Sequence, residues 1–331
     1  MHTTETTTAT RNPTDAGRRR RRIRGAVAAI AVLTGIAALT GAAACGTGPG
    51  PASASGAPAS DRASSSTGPV STVSAARPTG PVDRLVGPVG ARVHVRCVGQ
   101  GATTVLLISG FGGDTTGWAE VEPVVAGRAR VCSSDRPGTG TSDPATSTAT
   151  FTSQAADLHR LLVEVGESGP YVVVGHSFGG AAAVTFASRF ADEVTGLVLV
   201  DASPTTWPAA VCAVPDDGTG GAATLRGMCS GSFLPTGNPE HLDVRVGFAE
   251  VAGIATLGAL PMAVITATER ELPTDLAPAQ RSRLTEQWNR GQQAWAALSE
   301  ASHVVTVDHT GHHIELDQPR VVSDQIIRLL P

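Results

Sequence analysis

The sequence predicts an α/β fold, a mostly parallel sheet flanked by helices, on three observations. Short apolar runs recur along the later three-quarters of the chain. Helix-length segments separate them, the alternation expected of parallel strands joined by crossover helices. One run ends in a glycine-bracketed turn that leads directly into an alanine-rich segment.

The chain opens with a segment outside that pattern. Arg18 to Arg22 and Arg24 form a positive block, and an apolar stretch follows from Gly25 to Ala44. Small residues lead into a cysteine as Ala42-Ala43-Ala44-Cys45. A positive region, an apolar region and a small-residue site make a secretory signal, which assigns residues 1–45 to export. The cysteine after small residues resembles a bacterial lipobox, which would make Cys45 a lipidation site. Ala42 stands where that motif usually has Leu. A plain cleaved signal and an uncleaved anchor are the alternatives, since about 20 apolar residues can span a bilayer. The expected location is extracytoplasmic, with the membrane as partner through the N-terminal anchor. Residues 46–82 are Gly, Pro, Ala, Ser and Thr with few large apolar side chains. Such a segment buries too little surface to offset its ordering entropy and is expected to be a disordered tether.

The globular domain is expected over 83–331. Arg92 to Val98 alternates as a half-exposed strand, and Thr103 to Ser109 is a continuous apolar run suited to burial on both faces. Further strands are read at Ala129 to Ser134, Tyr171 to Val174, Leu197 to Val200, Met262 to Ile265 and Val304 to Val307. Helices are read at Ser153 to Val165, Gly179 to Phe190, Pro278 to Ser299 and Pro319 to Leu330. The interval 202–258 breaks the alternation and is read as a lid insertion.

Charge and cysteine usage narrow the class. The formal net charge is −4, yet residues 1–24 carry seven arginines against Glu5 and Asp15, which leaves −9 for the rest. The chain has no lysine. An acidic domain offers no basic face for phosphates, so no nucleic-acid partner is expected. Apart from Cys45 the cysteines are Cys97, Cys132, Cys212 and Cys229, an even number suited to an exported domain. Of three possible pairings, Cys97–Cys132 and Cys212–Cys229 are favoured. The first joins two strands of one sheet region, and the second closes a Gly-rich excursion. No CxxC or His/Cys spacing appears, so no metal site and no cofactor is expected.

The chemistry centres on Gly175-His176-Ser177-Phe178-Gly179, a G-x-S-x-G run between an apolar strand and an alanine-rich helix. That context makes Ser177 the expected nucleophile, on a sharp turn where flanking bulk would clash and at a helix N-terminus that favours negative charge. Ser109-Gly110-Phe111-Gly112-Gly113 follows an earlier strand, and Thr310-Gly311-His312-His313 follows the last one. On these motifs the chain, over about residues 88–331, resembles the α/β-hydrolase family of serine hydrolases.

The resemblance implies the remaining parts. The main-chain N–H groups of Phe111 and Phe178 would form the oxyanion hole, although the family often has His where Ser109 stands. The histidine after the glycine, His312, would be the base, with His313 as its rival. The acid would be Asp201, at the end of the Leu197 to Val200 strand, or alternatively Glu269 after the Met262 strand. The loop Asp135 to Asp143 would be structural. The implied function is hydrolysis of a small-molecule ester or related acyl substrate through an acyl-enzyme. A non-catalytic binding protein on the same fold is the alternative. So are other serine-triad chemistries: thioesterase, peptidase, C–C hydrolase and cofactor-free haloperoxidase.

Overall fold

The computed structural model describes residues 78–331. The export segment 1–45, Cys45 and the tether up to residue 77 lie outside the described residues. Among the described residues no helix is long and apolar enough to cross a membrane.

Eight strands form one sheet: β1 Val82–Val86, β2 Val93–Val98, β3 Thr104–Ile108, β4 Arg130–Ser134, β5 Tyr171–His176, β6 Val194–Val200, β7 Met262–Ala267 and β8 Ser302–Val307. Their order is β1-β2-β4-β3-β5-β6-β7-β8. The β1/β2 and β2/β4 pairs are antiparallel, and every later pair is parallel. β1 starts inside the span read as tether, and nearby carbonyls are bound by the domain. Arg130 Nη1 donates to Gly80 O (2.9 Å) and Gln100 Nε2 to Thr79 O (3.0 Å).

The helices are α1 Glu122–Ala126, α2 Phe151–Glu164, α3 Phe178–Arg189, α4 Trp207–Cys212, α5 Gly220–Ser230, α6 Val244–Ala252, α7 Pro278–Ala296, α8 Ile314–Asp317 and α9 Pro319–Arg328. Strand residues alternate between two cores, as a period of two demands. Leu106, Val173, Leu197, Leu199 and Val264 pack on one face with α2, α3, α7 and the 202–258 helices. Val105, Leu107, Val172, Val174, Val198, Val200 and Ile265 pack on the other with Val125 of α1 and Val322 and Ile326 of α9. Burial on both faces explains why the central strands read as unbroken apolar runs.

Local chemistry sets the helices that matter for the site. Thr150 and Ser153 form a reciprocal capping box that starts α2. α3 is buried from Phe178 to Ala187, and its alanines let it lie close on the sheet. α7 starts with Pro at its first position, where a missing N–H costs nothing. It buries Leu284, Trp288 and Trp295 at helical spacing.

The 202–258 interval contains three helices, α4 to α6, and no strand. Asn238 braces it by donating to Ser232 O, Leu234 O and Leu242 O and accepting from Leu242 N–H. Cys97 pairs with Cys132 across β2 and β4, and Cys212 pairs with Cys229 between α4 and α5.

Candidate active site

Ser177 sits between β5 and α3 at φ 54° and ψ −123°. A non-glycine residue in such a conformation is strained, at a cost of about 1–3 kcal/mol. The neighbours hold it there: Ser177 N–H donates to Val200 O (3.1 Å), and Ser177 O accepts from Gly180 N–H (3.0 Å) and Ser203 N–H (3.1 Å). Gly175 is required by this close turn, since a Cβ on it would stand 2.7 Å from the Gly180 Cα. The turn lifts the hydroxyl toward the C-terminal edge of the sheet, where the ends of β6 and β8 bring two more groups.

His312, between β8 and α8, points Nε2 at Ser177 Oγ (2.9 Å) and Nδ1 at Asp201 Oδ2 (2.7 Å). An ionised carboxylate only accepts, so Nδ1–H donates to Asp201 and the Nε2 lone pair accepts the serine O–H. Asp201 directly follows β6, at φ 40° and with no solvent exposure. Burial raises its carboxyl, but hydrogen bonds and charge from His312 and Arg270 outweigh that and hold it below the ordinary carboxylate range. The other acid considered, Glu269, is exposed and makes no hydrogen bond to His312.

Asp201 has more partners than the sequence suggests. Arg270 Nη1 donates to both its oxygens (2.9 and 2.8 Å). Thr266 Oγ1 (3.1 Å), Ala267 N–H (3.2 Å) and Trp288 Nε1 (3.2 Å) donate to Oδ1. The Arg270 guanidinium lies 5.3 Å from the Trp288 ring centre and also donates to Ala267 O. Trp288 in turn meets the His312 ring edge-to-face at 5.4 Å. Neither Arg270 nor Trp288 carries a motif. Arg270 directly follows Glu269, and Trp288 is on a helix far along the chain.

The loop after β3 abuts the serine. A Cβ on Gly110 would stand 3.0 Å from Ser177 Cβ, so glycine gives this approach its room. Ser109 Oγ donates to Asp114 O (2.7 Å) and accepts from the buried Trp118 Nε1 (3.0 Å), so this serine braces the loop. Gly112 N–H donates to Glu240 Oε1 (2.6 Å) and Gly113 N–H to Gly110 O (3.0 Å), while Phe111 N–H has no such acceptor among the described residues. Phe178 opens α3, so its N–H has no intrahelical acceptor either.

Arg136 ties this loop to the 202–258 interval. Its Nη1 donates to Ser109 O (2.8 Å), its Nη2 to Gly110 O (2.6 Å) and its Nε to Glu240 Oε2 (2.6 Å). The loop Asp135 to Asp143, read from sequence as structural, therefore sets the position of the segment beside Ser177. Asp135 accepts from the N–H groups of Thr115 (2.8 Å) and Thr141 (2.9 Å).

Phe178 joins a cluster of aromatic rings packed in the core beside Ser177. Phe178 lies 5.2 Å from Phe111, 5.1 Å from Phe248 and 6.3 Å from Phe233, centre to centre. The last two belong to the 202–258 interval. Two histidines flank the arrangement. His176 is buried, which pushes its imidazole down to about 4. His313 is turned to Glu315 (Nδ1 to Oε1, 3.0 Å) and away from Ser177. His309 is exposed.

Known proteins match this geometry at the level of fold. A family model described as alpha/beta hydrolase fold matches residues 103–217, a span that includes Ser177 and Asp201. A 2-hydroxy-6-oxononadienedioate/2-hydroxy-6-oxononatrienedioate hydrolase of Cupriavidus pinatubonensis is 32% identical over 136 residues, 40% of this chain and 47% of its own. The chain thus spans less than half the length of the curated relatives it matches. Among solved structures, Est816, described as an N-acyl homoserine lactone degrading enzyme, superposes with a TM-score of 0.55 at 17% identity, over 75% of this chain and 100% of that one. A thermophilic esterase from Thermogutta terrifontis superposes with a TM-score of 0.51 at 22% identity, over 76% of this chain and 97% of that one. Sheet order, serine turn and matches together establish that this chain has the alpha/beta hydrolase fold.

Proposed function

We propose that the protein is a serine hydrolase that cleaves an ester or related acyl substrate through an acyl-enzyme. The observation that carries the proposal is the continuous chain from Ser177 Oγ through the His312 ring to the buried Asp201 carboxylate, at 2.9 and 2.7 Å. Ser177 Oγ attacks the carbonyl carbon as His312 Nε2 takes its proton. Asp201 holds the required tautomer and stabilises the imidazolium. The N–H groups of Phe111 and Phe178 receive the oxyanion. His312 returns the proton to the leaving group, and water, activated by the same nitrogen, releases the acid.

The Cupriavidus relative supports a second reading, hydrolysis of a carbon–carbon bond in a 2-hydroxy-6-oxo acid by the same residues. A panel of p-nitrophenyl esters of graded acyl length, run beside such a vinylogous diketo acid, separates the two. Ester turnover that disappears in Ser177→Ala supports the first reading. Cleavage of the diketo acid alone supports the second, and turnover of neither by folded protein removes both.

The 202–258 helices are proposed as the lid that shapes the acyl site. Export and membrane anchoring at Cys45 are proposed as well. Their support is the Arg block and apolar stretch before Cys45, together with two disulfides, which persist in oxidising compartments.

A further inference from the structure

Next to the Ser177 site lies a group of side chains that the hydrolytic chemistry does not use. His176 precedes the serine, and His313 and Glu315 follow His312. His176 Nδ1 lies 3.5 Å and His313 Nδ1 3.0 Å from Glu315 Oε1. One donor atom of each residue falls within 4.8 Å of the other two.

The orientation of His176 is set from its far nitrogen. Nε2 lies 3.1 Å from the carbonyl oxygen of His312, which only accepts, so Nε2 carries the hydrogen. The ring is 5% exposed and neutral, as burial requires. Its Nδ1 is then a bare lone pair facing a carboxylate oxygen. Two acceptors 3.5 Å apart repel unless a cation lies between them. The other oxygen of Glu315, Oε2, is buried and receives no hydrogen bond from the described residues. Glu271 and Asp317 add negative charge around His313.

We propose that His176 Nδ1, His313 Nδ1 and the Glu315 carboxylate form a site for a divalent metal ion of the zinc class. Two imidazoles and a carboxylate are a donor set that zinc takes readily. Donors about 2.0–2.2 Å from a tetrahedral ion stand about 3.4 Å apart, and the two measured separations bracket that value. The ion satisfies the Nδ1 lone pair and takes Glu315 Oε1, the oxygen that both measured separations reach. The His313 side chain is 48% exposed, so the ion reaches the site from solvent and keeps a water in its fourth position. No sequence spacing announces the site, because β5 supplies His176, the loop after β8 His313 and α8 Glu315.

The test is a calorimetric titration of the full-length chain with zinc, with cobalt(II) as the spectroscopic probe. The expected result is one ion per chain, with cobalt d–d bands and no thiolate charge-transfer band. His313→Ala, at a half-exposed side chain, and Glu315→Gln should each weaken zinc at least tenfold, while His309→Ala leaves it unchanged. If Glu315→Gln fails to fold, His313→Ala decides. Absence of one-to-one binding, a thiolate band that assigns the ion to Cys45, or undiminished affinity in His313→Ala overturns the proposal. The readout needs no turnover, so it stands or falls independently of the hydrolytic reading.

Discussion

Arg136→Met removes a charge from beneath the loop that carries Phe111 while keeping most of the side chain's volume. In the native protein the guanidinium binds the carbonyls of Ser109 and Gly110 and both oxygens of Glu240, whose side chain is 1% exposed. The substitution leaves that carboxylate buried with Gly112 N–H as its close partner. Breaking a buried pair from one side costs about 3–5 kcal/mol, because the remaining charge is uncompensated. For a domain of this size that lowers Tm by roughly 6–20 °C. Calorimetry of the wild type, Arg136→Met, Glu240→Gln and the double variant measures it, and the double variant should recover most of the loss. Turnover should behave differently. The two carbonyls stay unheld in Arg136→Met and in the double variant, so kcat falls in both. Loss of a well-placed oxyanion donor costs about 10²–10³-fold. A Tm within a degree of wild type with unchanged kcat would refute the reasoning, and recovery of kcat with stability in the double variant would reduce Arg136 to a folding role.

Other substitutions separate the named roles. Ser177→Ala and His312→Ala should each abolish ester turnover in a steady-state assay, whereas His313→Ala should retain it. Asp201→Asn should lower kcat by about 10⁴-fold through the wrong imidazole tautomer; a larger loss in Glu269→Gln would reassign the acid. Non-reducing mass spectrometry should find Cys97 linked to Cys132 and Cys212 to Cys229. Replacing Cys212 and Cys229 by serine should cost about 3 kcal/mol in urea unfolding, the loop entropy of a 17-residue separation. No change in the unfolding midpoint would show that α4 and α5 hold that shape without the bond.

What the sequence disclosed follows from how local each feature is. The central strands are buried on both faces, so Val172 to Val174 and Leu197 to Val200 could only read as unbroken apolar runs. The serine turn is legible because strand, glycine bracket and alanine helix are consecutive. β1 was hidden because Val82–Val86 is largely exposed and follows a Pro- and Gly-rich stretch. Helices α4 to α6 were hidden because they are short and separated by Gly- and Pro-containing connections, and packing in the core and a disulfide hold them instead. The surroundings of Asp201 were hidden for a different reason. Arg270, Trp288 and His312 reach it from the loop after β7, α7 and the loop after β8, and no single window of sequence holds more than one of them.

The central claim is that Ser177 is an activated nucleophile, and a fluorophosphonate probe tests it without knowledge of the substrate. The full-length folded chain should take one adduct, which peptide mass spectrometry finds on Ser177. Labelling should vanish in Ser177→Ala and on heat denaturation, and should slow by orders of magnitude in His312→Ala. Folded wild-type protein that stays unlabelled, or that carries the adduct on another residue, would contradict the account.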